Sequence, residues 1–215
     1  MKIGVFDSGV GGLSVANAIR EALPEHDVEL YEDREHVPYG TRQPAEILEL
    51  VTPIFDKMVA DGCRVIVVAC NTVTTTIIKP LRERFHVPLV AIEPMVKPAA
   101  EQTKSGTIAV CATPSTLASK RYTELKNDYA QAITVLEPDC SDWALMIEGK
   151  KVDRHKIETL IQEVLNAGAD VIVLACTHYH WIEEEIAQLA AGKAEVLQPE
   201  QALIQQLKRV LEQLP

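Results

Sequence analysis

Two continuous runs of apolar, mostly β-branched residues dominate the hydrophobic pattern of the chain. Residues 65–69 read Val-Ile-Val-Val-Ala, and residues 171–175 read Val-Ile-Val-Leu-Ala. Such runs predict strands buried on both faces, as in the parallel sheets of α/β proteins. Each run is followed by a cysteine, Cys70 or Cys176, and then by polar residues. The sequence therefore predicts a thiol at the carboxyl end of two buried strands.

The rest of the pattern alternates between short apolar strands and segments with helical spacing. Further strands are predicted at residues 3–6, 28–31, 88–92, 107–111, 133–136 and 195–197. Helices are predicted at residues 13–23, around 51–59, and at 73–85, 117–126, 143–148, 156–166, 181–191 and 201–214. This alternation predicts an α/β fold with largely parallel sheets.

The second half of the chain repeats the first. The offset between the two cysteines, 176 − 70 = 106, also aligns Val51, Ile54, Phe55, Met58, Val59 and Gly62 with Ile157, Leu160, Ile161, Val164, Leu165 and Gly168. An offset of 105 aligns Ile3 with Ile108, Val5 with Val110 and Ser8 with Thr113. We expect two pseudo-symmetric lobes, residues 1–93 plus 194–215 and residues 94–193. Ligands bind at the carboxyl ends of strands in open α/β sheets, so both cysteines should face a cleft between the lobes.

Composition and charge narrow the class of partner. The chain has 215 residues, 47% of them hydrophobic, and a net charge of −10. This charge argues against nucleic acid or an anionic membrane surface as the main partner. No apolar run approaches the ~20 residues of a membrane span, and the chain starts with a strand-like segment rather than a leader, so a cytoplasmic protein is expected. The odd number of cysteines, five, favours free thiols over a disulfide framework.

Two thiols on opposite sides of a small molecule suit the exchange of protons at one carbon. One thiolate removes a proton, the opposite thiol returns another, and the carbon centre is inverted. An ordinary thiol pKa near 8.5 needs only modest lowering for such work. Asp7, at the end of the first strand in a glycine-rich turn, and His178 are placed to relay protons to the cysteines. Cys63, Cys111 and Cys140 lack polar surroundings of this kind and are expected to be structural.

Short hydrogen-bonding side chains follow the predicted strands and suit the carboxylates and ammonium group of an amino acid. They are Ser8, Asn71, Thr72, Thr113, Thr116 and Thr177. No lysine lies in a setting typical of a Schiff base, and no glycine motif has the full dinucleotide spacing, so the chemistry is expected to need no cofactor. A metal site is the alternative for Cys176, His178 and His180, because alternate residues of an extended chain face the same side. The sequence offers no evident fourth ligand, and a bound metal would quench the thiolate, so no metal is expected.

Four segments together resemble the glutamate racemases of the aspartate/glutamate racemase superfamily. They are residues 3–15 (Ile-Gly-Val-Phe-Asp-Ser-Gly-Val-Gly-Gly-Leu-Ser-Val), Asp33 with Pro38-Tyr39-Gly40, residues 69–72 (Ala-Cys-Asn-Thr) and residues 176–179 (Cys-Thr-His-Tyr). The resemblance runs along almost the whole chain. It implies two α/β lobes with the active site between them, and cofactor-independent interconversion of L- and D-glutamate to supply peptidoglycan synthesis. A homodimer is expected.

The resemblance also implies roles for individual residues. Cys70 and Cys176 match the two catalytic bases, and Asp7 and His178 match the residues that assist them. The substrate-pocket positions are Ser8, Asp33, Pro38, Tyr39, Gly40, Asn71, Thr72, Thr113, Thr116 and Thr177. Three positions depart from the usual pattern of the family, because Ser141 and His180 replace prolines and Gln198 replaces an aspartate. These departures, with Leu145, bear on the lid of the pocket, the substrate range and the dimer contacts.

Two rival functions follow from the same residues. Another racemase of the superfamily, acting on aspartate or a different amino acid, or a one-cysteine relative with another reaction would keep the fold. His178 argues against aspartate, since aspartate racemases usually carry an acidic residue there. The second rival is a paralogue that binds an amino acid or a protein partner with idle thiols.

Overall fold

The computed structural model describes residues 1–214 and contains two four-stranded parallel sheets. The first sheet has the order β2-β1-β3-β4, with β1 (Lys2–Asp7), β2 (Asp27–Glu32), β3 (Val65–Val68) and β4 (Leu89–Ala91). The second has the order β6-β5-β7-β8, with β5 (Thr107–Ala112), β6 (Thr134–Leu136), β7 (Val171–Ala175) and β8 (Glu195–Leu197). The predicted α/β class with two lobes is confirmed.

Helices connect the strands and cover the sheets. In the first lobe they are α1 (Gly12–Ala22), α2 (Pro44–Ala60) and α3 (Asn71–Arg84). Next come α4 (Val96–Gln102), α5 (Pro114–Leu117), α6 (Lys120–Tyr129), α7 (Trp143–Glu148), α8 (Arg154–Asn166), α9 (Glu183–Ala190) and α10 (Glu200–Glu212). Two 3₁₀ helices lie at Tyr39–Thr41 and Thr177–Ile182, and are called the first and second 3₁₀ helix below.

The strand register reproduces the sequence repeat. Ile3 pairs with Val65 in the first sheet, and Ile108 pairs with Val171 in the second. These pairs are related by the predicted offsets of 105 and 106, and the two sheets have the same order of corresponding strands. Each lobe is therefore a copy of one α/β unit, with its cysteine strand beside its first strand.

Corresponding glycines end the long helices before the cysteine strands. Gly62 after α2 and Gly168 after α8 have φ angles of +86° and +92°. Their amides donate to Val59 O and Leu165 O, both at 3.0 Å. Glycine adopts this left-handed conformation without the steric cost that a Cβ brings. The repeat therefore extends to the turns that deliver both strands.

Buried apolar residues on both faces of each sheet form the cores. In the first lobe Phe6 packs edge-on against Phe55 at a centroid distance of 5.3 Å. In the second lobe Trp143 packs against Tyr179 at 5.2 Å.

The prediction of the buried face of α2 is wrong at one position. Val59 is 41% exposed, whereas its counterpart Leu165 packs at the edge of the core. The helical periodicity of the sequence therefore assigned one residue too many to the buried face of α2.

Two predicted helices are divided in the structure. The helix predicted at 117–126 consists of α5 and α6, which are separated at Ala118 and Ser119. The hydroxyl of Ser119 accepts a hydrogen bond from Tyr122 N and so begins a new helix. The helix predicted at 181–191 starts as the second 3₁₀ helix, and its α-helical part begins only at Glu183.

Two chain crossings connect the lobes. The first follows β4, where Glu93 and Arg121 on α6 make two hydrogen bonds of 2.8 Å. The second crossing lies later than the predicted boundary at residue 194, because strand β8 pairs with β7 of the second sheet. Only α10, which contributes Leu203 and Leu207 to the core of the first lobe, returns to that lobe. Pro215, also assigned to this lobe, lies outside the described residues.

Two general properties bear on the expected class of protein. Among residues 1–214, no helix has the length and apolar character that crossing a membrane requires. All five cysteines are buried and free. The prediction of reduced thiols is therefore confirmed.

The glycine turns yield a test of the repeat. Gly168→Ala should lower the free energy of unfolding by about 1 kcal/mol, because an L side chain is strained at φ +92°. The added methyl group meets no atom within 4 Å, so strain is the only cost. Gly168→Asn should lose less, since asparagine tolerates this conformation better. Urea unfolding measures both, and equal stability of Gly168→Ala and the parent protein would contradict the argument.

Candidate active site

The two cysteines occupy equivalent places at the ends of β3 and β7. Cys70 precedes the first residue of α3, and Cys176 precedes the second 3₁₀ helix. Their exposed fractions are 5% and 7%. In each case a helix starts directly after the cysteine, so backbone N–H groups that lack helical partners point toward the thiol region.

Contacts of the loop after β1 link the two cysteines. Ser8 Oγ lies 3.4 Å from Cys70 Sγ. Its neighbour Asp7 accepts hydrogen bonds from Thr177 Oγ1 at 3.3 Å and 3.2 Å on its two carboxylate oxygens. Thr177 directly follows Cys176. The four residues Cys70, Ser8, Asp7 and Thr177 thus connect one thiol to the residue beside the other.

The backbone of this loop lies directly against the second lobe. A Cβ atom built on Gly11 would come within 2.6 Å of Thr177 Oγ1 and of His178 N. A Cβ on Gly9 would come within 2.7 Å of His178 Nε2. A side chain at Gly11 would meet backbone of the second lobe and force the lobes apart, whereas one at Gly9 would displace the side chains of Glu148 and His178. These glycines therefore permit the close approach of the two thiol-bearing edges.

His178 connects Cys176 to a carboxylate. Its Nδ1 lies 3.8 Å from Cys176 Sγ, and its Nε2 lies 2.8 Å from Glu148 Oε1. The same oxygen of Glu148 accepts the backbone N–H of Val10 at 2.8 Å. Glu148 is thus the last member of a Cys–His–Glu chain and also contacts the loop of the first lobe.

The electrostatics of this chain favour a protonated imidazole. Burial alone would lower the pKa of His178, but its hydrogen bonds with Cys176 and Glu148, and the charges of Cys176 and Asp7, raise that pKa to about 10. The hydrogen bond with His178 in turn holds the pKa of Glu148 below its usual range. A pKa of about 10 favours the imidazolium form of this ring at neutral pH, between the sulfur of Cys176 and the carboxylate of Glu148.

The other side of the site is electrostatically different. Burial raises the pKa of the Cys70 thiol to about 12, and the negative charge of Asp7 adds to this shift. Burial also raises the pKa of Asp7 to about 6, against the opposing effect of His178. Cys176 contributes to the raised pKa of Cys70 through its charge, which is consistent with two thiols at one site.

A second group of contacts joins the lobes beside the thiols. Thr72 Oγ1 lies 3.0 Å from Thr113 Oγ1, which donates to Thr116 Oγ1 at 3.0 Å. The Cβ atom that Gly40 lacks would come within 2.8 Å of Thr113 Cβ. Ser115 Oγ donates to Gly40 O at 2.7 Å. Four of the candidate pocket residues therefore form one hydroxyl-lined contact across the lobes.

The segment from Asp33 to Gly40 is held by a buried carboxylate. Tyr39 donates its hydroxyl hydrogen to Asp33 Oδ2, and His36 Nδ1 lies 2.7 Å from Asp33 Oδ1. Pro38, which follows a cis peptide bond, is partly exposed between them. Burial, with the hydrogen bond to Asp33, raises the pKa of Tyr39. Asp33 therefore supports Tyr39, and the structure gives it no contact with either thiol.

Asn71 carries the clearest sign of a ligand site. The residue is 2% exposed, and neither polar atom of its side chain has a hydrogen-bond partner in the described part of the chain. Buried amides are almost always hydrogen-bonded in native structures. Its position directly after Cys70 places these free groups at the edge of the candidate site.

The three residues considered as metal ligands face different partners. His178 uses its two ring nitrogens toward Cys176 and Glu148, whereas His180 Nδ1 lies 3.3 Å from Glu200 Oε1. Within residues 1–214 no group of three or more His, Cys, Asp or Glu side chains is arranged to hold a metal ion.

Sequence reasoning missed two residues of this region. Glu148 ends α7 after an apolar stretch. A single carboxylate at that place in the sequence was the signal that could have marked it as a candidate site residue. Ser115 lies in the polar turn after β5, where its hydroxyl contacts Gly40 O. Nothing in the local pattern distinguishes Ser115 from an ordinary helix-start serine.

Comparisons with known proteins agree with this geometry. The family model for Asp/Glu/hydantoin racemase matches residues 4–207. The chain is 39% identical to a glutamate racemase of Pseudomonas aeruginosa over 97% of its length and 81% of the relative, and 38% identical to one of Herpetosiphon aurantiacus over 97% and 84%. The crystal structure of Escherichia coli glutamate racemase in complex with L-glutamate and the activator UDP-MurNAc-Ala has a TM-score of 0.91 and 30% identity, with 99% of this chain and 82% of that chain covered.

The buried Asp7 carboxyl should make stability depend on pH. Its pKa of about 6 in the folded protein exceeds the ordinary value of about 3.9. Between about pH 4 and 6 the folded state therefore keeps a proton that the unfolded state has lost, and the free energy of unfolding falls as pH rises. Asp7→Asn should flatten this slope. Urea unfolding at several pH values measures the effect, and identical slopes for both proteins would contradict the assigned pKa.

Proposed function

This chain belongs to the Asp/Glu/hydantoin racemase family, and from that premise we propose that it interconverts L- and D-glutamate with two cysteine bases and no cofactor. The observation that carries the proposal is the pair of equivalent strand-end thiols, joined through Ser8, Asp7 and Thr177. Glutamate is the amino acid that the names of the relatives and the bound ligand of the E. coli structure share.

The reaction requires a base on one face of the substrate Cα and an acid on the other. A thiolate on one side removes the Cα proton, and the carbanion accepts a proton from the thiol on the opposite side. The product has the opposite configuration, and the two sulfur atoms have exchanged protonation states. No electrons or groups are transferred beyond these two protons, so the arrangement is complete without a co-reactant.

The two thiols are proposed to have different proton partners. Cys176 Sγ lies 3.8 Å from His178 Nδ1, through which this sulfur can exchange its proton. Cys70, with its pKa raised to about 12, rests as a thiol. In one direction of the reaction the sulfur of Cys176 removes the Cα proton, and Cys70 supplies the new one. The ammonium group of the substrate, if bound beside Cys70, would lower the pKa of that thiol for the reverse direction.

Polar groups around the thiols are the proposed partners of the carboxylates and ammonium group of glutamate. The side chain of Asn71 has an unpaired donor and an unpaired acceptor. The hydroxyls of Ser8, Thr72, Thr113 and Thr116 and the helix starts after both cysteines supply further donors for carboxylates. We infer that the Asp33–Tyr39 contact keeps Gly40 against Thr113 and so shapes this side of the pocket.

We infer that the two lobes move apart to admit the substrate. The thiols are 5% and 7% exposed, and the residues between them are in direct contact. Glutamate is too large to enter without separation of the Thr177–Asp7 and Thr72–Thr113 contacts. We infer that the lobes open by rotation about the two chain crossings and close over the substrate, which excludes water from the carbanion.

Membership of the family supports a proposal on the cellular setting. We propose a cytoplasmic enzyme that supplies D-glutamate for peptidoglycan and so supports cell shape. We also propose a homodimer, since Leu13, Leu145 and Trp181 leave an apolar surface exposed by 37%, 50% and 52%. Aspartate remains the alternative substrate, and His178 in place of an acidic residue favours glutamate.

Substitution of either base tests the two-thiol mechanism. Cys70→Ser and Cys176→Ser should each lower kcat/KM for both enantiomers by about 10³-fold or more, because a hydroxyl is a far weaker base. In D₂O the parent enzyme should place deuterium in the product while early residual substrate stays protiated. Circular dichroism and proton NMR of the reaction measure the two effects.

Cys63→Ala is the matched control, because Cys63 is buried at the opposite end of β3 and should retain activity within about threefold. Racemisation that survives Cys70→Ser would contradict the assigned base. Absence of exchange at Cα for glutamate, aspartate and other amino acids would instead indicate a binding protein.

The Glu148–His178 hydrogen bond should appear in the pH profile. With the pKa of His178 raised to about 10, kcat/KM should fall only as pH rises through that value and the imidazolium is lost. Glu148→Gln removes a negative partner, lowers the pKa of His178 and should move this decline to lower pH. Glu158→Gln, an exposed change on α8, should leave the profile in place. An unmoved decline in Glu148→Gln would exclude His178 as its cause.

A further inference from the structure

The second 3₁₀ helix presents one face to the first lobe. In a 3₁₀ helix the residues three apart lie above one another, so Thr177 and His180 share a face. Thr177 donates to the carboxylate of Asp7, and His180 Nδ1 lies 3.3 Å from Glu200 Oε1. Asp7 and Glu200, two acidic residues of the first lobe, therefore contact Thr177 and His180, which lie above one another on this short helix.

Glu200 contacts elements of both lobes beside the candidate site. It is the first residue of α10, which packs against β4 and α1 of the first lobe. Ser14, near the start of α1, lies beside its carboxylate. The loop that carries Asp7 and Ser8 leads directly into α1. Glu200 thus contacts the base of that loop on one side and the second 3₁₀ helix on the other.

The environment of His180 makes this contact specific. Its side chain is 2% exposed, and neither ring nitrogen has a hydrogen bond of good geometry within residues 1–214. Glu183 is a second acidic group near the ring. A buried imidazole with so few partners is costly unless a charge compensates it. The closest such charge is Glu200, and the imidazole beside it holds the pKa of that carboxyl below its usual range.

We propose that the His180–Glu200 contact positions the second 3₁₀ helix for proton transfer. His178 lies two residues before His180 in the same helix, and Cys176 precedes it directly. A shift of the helix would lengthen the contacts of His178 with Cys176 and Glu148. His180 and Glu200 are thus positioning residues, which act through His178 and Cys176 and do not touch the substrate. The inference rests on the proposed racemase function.

A double-mutant cycle with polar glutamine substitutions tests this role. Glu200→Gln and His180→Gln should each lower kcat by about tenfold or more with KM changed by less than about threefold, because misplaced catalytic groups slow the chemical step. The double variant should be no slower than the slower single variant, since both changes break one contact. Glu184→Gln is the matched control: it also removes a first-turn glutamate charge, on α9, but has no contact with His180.

A second readout separates this inference from the racemase assignment. The rate of alkylation of Cys176 by iodoacetamide, followed by peptide mass spectrometry, depends on its contact with His178 and needs no turnover. Glu200→Gln should change this rate by about threefold or more while the rate at Cys70 stays constant. An unchanged Cys176 rate, with unchanged kcat, would overturn the positioning role even if the melting temperature falls. If the parent protein racemises nothing but the Cys176 rate still changes, the function is wrong and the positioning role stands.

Discussion

Burial of the Asp7 carboxyl between the lobes is the constraint on which the site depends. Asp7 ends a central strand of the first sheet, is fully buried, and accepts both hydrogen bonds from Thr177 of the second lobe. A buried carboxylate without such donors and without a nearby positive charge would be strongly destabilising. The lobes are therefore held in the one arrangement that supplies Thr177 and the imidazolium of His178. The same arrangement links Cys70, through Ser8 and Asp7, to Thr177, the residue beside Cys176.

A symmetric fold thus carries an asymmetric site. The two sheets share strand order and register, and both cysteines follow the equivalent strand. Their partners differ, however, because Ser8 and the anionic Asp7 lie near Cys70 whereas Cys176 has His178. The sequence repeat explains the equivalent placement of the thiols, and divergence of the flanking residues explains why their partners differ. The two-base reaction proposed above uses such a difference, since one sulfur must act as a base while the other acts as an acid.

Much of the fold and the thiol pair could be predicted from the sequence because the information was local or periodic. The β-branched runs ending in Cys70 and Cys176 define strands by themselves, and the two offsets of 105 and 106 together relate the register of one sheet to that of the other. Other features depend on partners far away in the chain. Glu148 meets a histidine 30 residues later, and no pattern around α7 indicates that contact. The outward position of Val59 likewise depends on how α2 is rotated against the sheet, which periodicity alone cannot set.

The same short segments hold the residues proposed for catalysis and the residues that join the two lobes, so movement of the lobes affects both. The second 3₁₀ helix holds Thr177, which binds the first lobe, next to His178, which serves Cys176. The loop after β1 likewise contacts His178 through Gly9 and donates the N–H of Val10 to Glu148. Opening of the cleft would break the contact of Val10 with Glu148 and separate Asp7 from His178, whereas the contacts of His178 with Cys176 and Glu148 lie within the second lobe and would remain. In the opening proposed above, closure over the substrate would restore the Val10–Glu148 contact and bring the charge of Asp7 back to His178, so lobe contact and the electrostatics of the site would change together.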